Sequence, residues 1–234
     1  MIQLFGKLIS KDPNFYRTVA GIAIPIGLQG LITTGINMMD TIMIGTLGET
    51  ELSAVSLANQ FINIYQILCM GIGMGASVLV SRYYGMKDKV SMQKTVAIMT
   101  RFCLVIASVF ALLTCLFPGA IMRIYTVEDV IIQNGERYLS WSVVTYFLLG
   151  LSLTGTIVLR NVGQVKIPLF TSIGAFFVNI LANYMFIFGK LGAPAMGVAG
   201  AAIGTLIARI FEFSVIDGFL WFREKSIEFR TPPP

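Results

Sequence analysis

RTVAGIAIPIGLQGLITTGINMMDTIMIGTLGE, residues 17–49, begins and ends on a charge and holds only one between them, Asp40. Thirty-one residues with a single charge exceed the roughly 20 apolar residues that cross a bilayer as a helix. The stretch therefore reads as a membrane span. An aspartate at the centre of such a span costs about 2.5–3.5 kcal/mol on insertion scales. A chain carries that cost where the carboxylate faces a polar cavity. Gln29, Thr33, Asn37 and Asp40 follow at steps of four, four and three, so a helix places them on one face, with Pro25 one turn back on the same face.

Five further charge-free runs follow, at 52–81, 102–122, 138–159, 167–189 and 191–208. The 234-residue chain is 56% hydrophobic and only 12% charged, where a soluble domain has roughly 25% charged residues. The runs are too long for barrel strands and do not alternate. The expectation is an all-α membrane protein, a bundle of six transmembrane helices at about 17–44, 53–84, 91–116, 135–159, 166–189 and 196–222. Residues 1–16 and 223–234 are read as tails, and no cleavable leader is expected. Ser53 is expected to cap the second helix, and Pro118–Gly135 to include a short surface helix. Gly71, Gly73 and Gly75 are expected to admit a neighbouring helix.

A net charge of +5 is compatible with a nucleic-acid partner, but the loops account for it. Twelve basic residues fall on one side: Lys7, Lys11 and Arg17; Arg82, Lys87, Lys89 and Lys94; Arg160 and Lys166; Arg223, Lys225 and Arg230. Three fall on the other: Arg123, Arg137 and Lys190. The positive-inside bias then predicts both termini in the cytoplasm of a plasma or inner membrane. Arg101 is expected to snorkel to the surface.

The chemistry on offer is narrow. There is no histidine, and no Ser–His pair, zinc motif or phosphate-binding glycine loop. Cys69, Cys103 and Cys115 lie inside spans without metal or disulfide spacing and read as small buried residues. No enzyme and no cofactor are expected. Polar faces recur instead: Asn59, Asn63 and Gln66; Tyr138, Ser142 and Thr145; Asn179 and Asn183; Thr205, Arg209 and Glu212. Any one of them is explained by interhelical hydrogen bonds, and Arg209 and Glu212, three apart, could neutralise one another. So many faces together are more simply explained by a hydrated central cavity. In it, Asp40 can exchange a proton, or its oxygens can join the amide oxygens of Asn179 and Asn183 around a hard cation such as Na⁺.

Residues 159–170 (LRNVGQVKIPLF), 176–189 (FFVNILANYMFIFG) and 194–208 (PAMGVAGAAIGTLIA), with 24–48 and its proline fifteen residues before an acid, resemble the multidrug and toxic compound extrusion (MATE) transporters. The resemblance implies a twelve-helix fold of two six-helix lobes, of which this chain matches the N-terminal one. It implies a multidrug efflux antiporter, or its half, exporting amphipathic organic cations in exchange for H⁺ or Na⁺. By position, Asp40 resembles the coupling acid, Pro25 the proline at which the first helix bends, and Tyr138 and Asn179 members of the same polar cluster. Asn183 stands where some members have a second acid. Gln29, Thr33, Asn37, Asn59, Asn63, Thr205 and Arg209 would face the cavity. The expected partners are the lipid bilayer, cationic small molecules, and a second six-helix lobe or a homodimer partner; no nucleic acid is expected. Two other functions are weighed: a flippase for lipid-linked precursors or oligosaccharides, and a truncated lobe that transports nothing.

Overall fold

The computed structural model describes residues 13–222. The described residues form seven α-helices: α1 (Pro13–Gly45), α2 (Glu49–Gly85), α3 (Lys89–Leu116), the short α4 (Pro118–Arg123), α5 (Asp129–Asn161), α6 (Lys166–Phe188) and α7 (Val198–Phe222). Six are long and apolar enough to cross a membrane, and the short α4 lies between the third and fourth of them, with Ile121 and Met122 buried. The tail residues Lys7, Lys11, Arg223, Lys225 and Arg230, on which part of the predicted orientation rests, lie outside the described residues.

The helix ends follow ordinary chemistry. Pro13 and Pro118 each open a helix, where their missing N–H is not needed. The Asp88 side chain accepts from the Ser91 backbone N–H at 3.1 Å and caps α3; hydrogen bonds from Ser91 hold that carboxyl below its usual range. Gly189 closes α6 in the left-handed region, at φ 66°. One expectation about a helix start needs correction. α2 begins at Glu49 with Gly48 at its cap and no side-chain cap, so Ser53 lies inside the helix. Glu49 and Glu51 occupy its first turn, where the helix dipole favours acids. At 37 residues α2 is about 55 Å long, well beyond the roughly 30 Å hydrocarbon layer.

α5 is the central post. It packs on α2, α3 and α7, while α6 packs on α7 and α1. Buried residues make up 61% of the apolar window of α5 but only 6% of that of α1, so α1 is the outlying helix. Three apolar clusters lie along the bundle. One joins Met43, Ala54, Ala58, Met122, Leu139 and Ala201; a second joins Tyr65, Cys69, Cys103, Phe110 and Tyr146; the third joins Val80, Met99, Val158, Ile216 and Leu220. The outer face of α3 exposes Phe102, Val105, Val109, Leu112 and Leu116, a surface that suits lipid tails. Cys115 also lies exposed, unlike buried Cys69 and Cys103, which corrects the expectation that all three are buried.

Close helix approach depends on a few glycines. A Cβ on Gly73 would overlap Ile157 of α5, whereas Gly71 and Gly75 face open space, so only the middle glycine of the three admits a neighbour. A Cβ on Gly150 would overlap the Tyr65 hydroxyl. That buried hydroxyl donates to the Tyr146 carbonyl at 2.7 Å, and the two rings meet edge to face at 5.2 Å. Tyr65→Phe should lower stability by about 1 kcal/mol, the net value of one hydrogen bond. Thermal unfolding in detergent micelles should also show that Gly150→Ala is less harmful on the Tyr65→Phe background, where the overlapping oxygen is gone.

Candidate functional site

A polar cavity of about 330 Å³ opens between α1 and α2, with α5, α6 and α7 behind it. Asp40 on α1 is its acid. The Asn183 Nδ2 of α6 donates to Asp40 Oδ1 at 2.5 Å, and also to Asn179 Oδ1 at 3.3 Å. One amide nitrogen thus bridges two oxygens. Asn179 and Asn183 are almost completely buried, and the Asn183 Oδ1 has no hydrogen-bond partner. Room for that oxygen comes from Gly204 on α7, where a Cβ would overlap it. Gly200, Gly204 and Ala208 recur every fourth residue along α7, and all three are buried. Gly200 lies against the α6 backbone at Phe186. Small residues at this spacing let membrane helices close on one another.

The opposite wall carries Tyr138, whose hydroxyl donates to Asn59 Oδ1 at 3.1 Å. Thr33, Asn37, Asn63 and Thr205 also line the cavity, Asn37 and Asn63 on its exposed side. Arg209 and Glu212 on α7 form an ion pair at 2.6 Å at one end of the cavity. Counting Asp40, Arg209 and Glu212, the lining carries a net charge of −1. Such a chamber can attract a cation and offer it carboxylate, amide and hydroxyl oxygens. Among the described residues no three His, Cys, Asp or Glu side chains come together to hold a metal ion.

Most residues singled out in the sequence meet at this cavity, but three stand elsewhere. Asn183 lies behind the wall and touches the cavity through Asp40. Pro25 lies within an unbroken α1, where it leaves the Gly21 carbonyl without its usual partner. Gln29 does not line the Asp40 cavity. It faces a second, adjoining chamber, where its amide donates to Ser172 Oγ at 3.0 Å and accepts from Arg160 at 2.6 Å. Arg160, expected in a loop, belongs to the last turn of α5 and reaches back into the bundle. Its charge gave it away as a span boundary but concealed its contacts. Gly204 escaped the sequence reading because only the partner across the seam, Asn183, gives it meaning. Asp217, half-buried on α7 with one oxygen unpartnered, was also passed over because it lies beyond the charge-free run.

A family model described as MatE matches residues 25–185. A probable multidrug resistance protein NorM of Thermotoga maritima is 26% identical over 229 residues, which cover 95% of this chain and 48% of that protein. An uncharacterised transporter, YisQ, of Bacillus subtilis is 26% identical over 80% of this chain and 41% of its own length. A crystal structure of MATE in the bent conformation superposes with a TM-score of 0.83 at 22% identity, covering 94% of this chain and 49% of the other. At that identity the likeness establishes the fold alone. The chain spans about half the length of the curated relatives it matches.

Proposed function

The chain belongs to the MatE family, and from that membership and the acidic chamber we propose that it is one lobe of a cation-coupled exporter of amphipathic organic cations. Membership places it among transporters rather than enzymes, and its six apolar helices make it a multi-pass membrane protein. The observation that carries the proposal is the Asp40 carboxylate, held by Asn183 at a polar cavity of net charge −1.

On this reading Asp40 is the coupling acid and H⁺ or Na⁺ the coupling ion. Asn183 Nδ2 stands between Asp40 and Asn179, where a cation would bridge the same two oxygens. Turning the Asn183 amide over would exchange that donor for its unpartnered Oδ1, so three oxygens could face a Na⁺. Protonation of Asp40 would instead keep the amide in place. Tyr138, Asn59, Asn63, Asn37, Thr33 and Thr205 would hydrate or orient the cationic substrate. Pro25 would give α1 a place to bend. The positive-inside bias puts both termini in the cytoplasm. The names of the relatives, multidrug resistance proteins among them, favour efflux. A second six-helix lobe, or a second copy of this chain, would supply the facing wall.

Reconstitution tests this. Liposomes holding the chain, alone and together with a candidate second lobe, are loaded with ethidium and given a pH gradient or a Na⁺ gradient. Gradient-driven ethidium movement in any of these assemblies supports the reading, and the effective gradient names the ion. Flux in none of them supports a lobe that transports nothing.

A further inference from the structure

The second chamber differs in charge from the first. It encloses about 400 Å³ and is walled by Met70, Met74 and Ile157, with Arg160, Asn161 and Gln29 among its polar groups. Glu212 reaches it, but that carboxylate is paired with Arg209. The lining therefore carries a net charge of +1, from Arg160. Among the described residues no carboxylate forms an ion pair with Arg160; its terminal nitrogen donates to the neutral Gln29 amide.

Two neighbouring donors are left over. The Arg160 Nε–H is buried without an acceptor. Asn161 Oδ1 accepts from Ser77 at 2.8 Å and Ser81 at 3.0 Å, which fixes the amide and leaves its buried Nδ2 without a partner. Buried donors without acceptors cost roughly 1–3 kcal/mol each, more when charged. Arg160, reaching toward α1, and Asn161, reaching toward α2, both line the chamber, so a guanidinium and an amide offer their N–H groups to the oxygens of an anion bound there. Methionine and isoleucine on the other walls offer an apolar body room to pack, within the usual volume of small-molecule sites.

We propose that this chamber binds an amphipathic oxyanion, a phosphate or carboxylate carried on an apolar body, through Arg160 and Asn161. The assignment does not rest on the transport reading above. It makes the cleft bipolar: a cation-attracting chamber at Asp40 and an anion-binding one at Arg160, with the Arg209–Glu212 pair lining both.

The chain in phosphatidylcholine nanodiscs is titrated with phenyl phosphate, with bound ligand read by phosphorus NMR. Saturable binding is expected, with inorganic phosphate on the order of tenfold weaker because it lacks the apolar body. Phenyltrimethylammonium should not displace phenyl phosphate. Arg160→Gln should weaken binding by about tenfold or more. Met74→Glu, which adds a carboxylate on an exposed chamber wall and leaves Arg160 untouched, should do the same, and it decides the matter if Arg160→Gln folds poorly. Phosphatidate added to the disc should displace the probe if a lipid headgroup is the natural source and leave it bound if a soluble anion is; either result is consistent with the site. No saturable binding, binding unchanged in Met74→Glu, or displacement by the cation overturns the proposal.

Discussion

Asp40→Asn is expected to leave the helix bundle intact and to remove ion-driven export from any transport-competent assembly that contains this chain. The substitution is nearly isosteric, and an asparagine oxygen can still accept from Asn183 Nδ2, so the tie between α1 and α6 survives. What disappears is the negative charge. Two unit charges about 4 Å apart attract by about 4 kcal/mol at an effective dielectric of roughly 20, which is about three orders of magnitude in ion affinity. Unchanged thermal stability with lost gradient-driven ethidium flux is the expected pair of results. Equal flux in the variant under the same gradient would remove Asp40 from the coupling role.

The second large effect belongs to Gly204→Val. Even a single Cβ at this position overlaps Asn183 Oδ1 and comes within 3.1 Å of the Asn183 backbone nitrogen. A branched side chain must force α6 from α7 or push the Asn183 amide away from Asp40. Overpacking of this kind costs about 3 kcal/mol, roughly a 10 °C fall in midpoint for a domain of this size. Differential scanning of the detergent-solubilised chain measures it. The milder Gly204→Ala gives the finer test. Removing the overlapping amide with Asn183→Ala should recover part of its loss, so the double variant should be more stable than the sum of the single changes requires. Strict additivity would mean that the glycine serves some other contact.

The bundle was legible because membrane helices announce themselves by what they lack. Charge-free runs gave six spans, but they mark the apolar layer rather than the helices. Glu49 and Glu51 broke a run and so seemed to precede α2, although both lie in its first turn. Asp129 and Asn161 likewise bound a helix several residues longer than its apolar stretch. The candidate site was legible where helical periodicity put polar residues on one face: Thr33, Asn37 and Asp40 do line one cavity with Asn59, Asn179 and Thr205. Periodicity says nothing of which helices meet. That α1 leans on α6, that Gln29 turns to Arg160, and that Gly204 clears space for Asn183 are long-range facts. None has a signature within a single helix.

The loose seating of α1 has a thermodynamic consequence. Among its side-chain hydrogen bonds to the rest of the bundle are Asp40 to Asn183 toward its C-terminal end and Gln29 to Ser172 and Arg160 at its middle. With so little of its apolar window buried, the docking of this helix rests on those polar bonds together with the burial of Met43 and Ile44 at its end. Occupancy at Asp40 and docking of α1 are then linked functions: whatever competes for the Asn183 amide loosens the helix, and whatever holds the helix down tunes affinity at the acid. Amide hydrogen exchange should find α1 the least protected of the six spans, and its protection should change with the ion supplied while that of α5 stays constant.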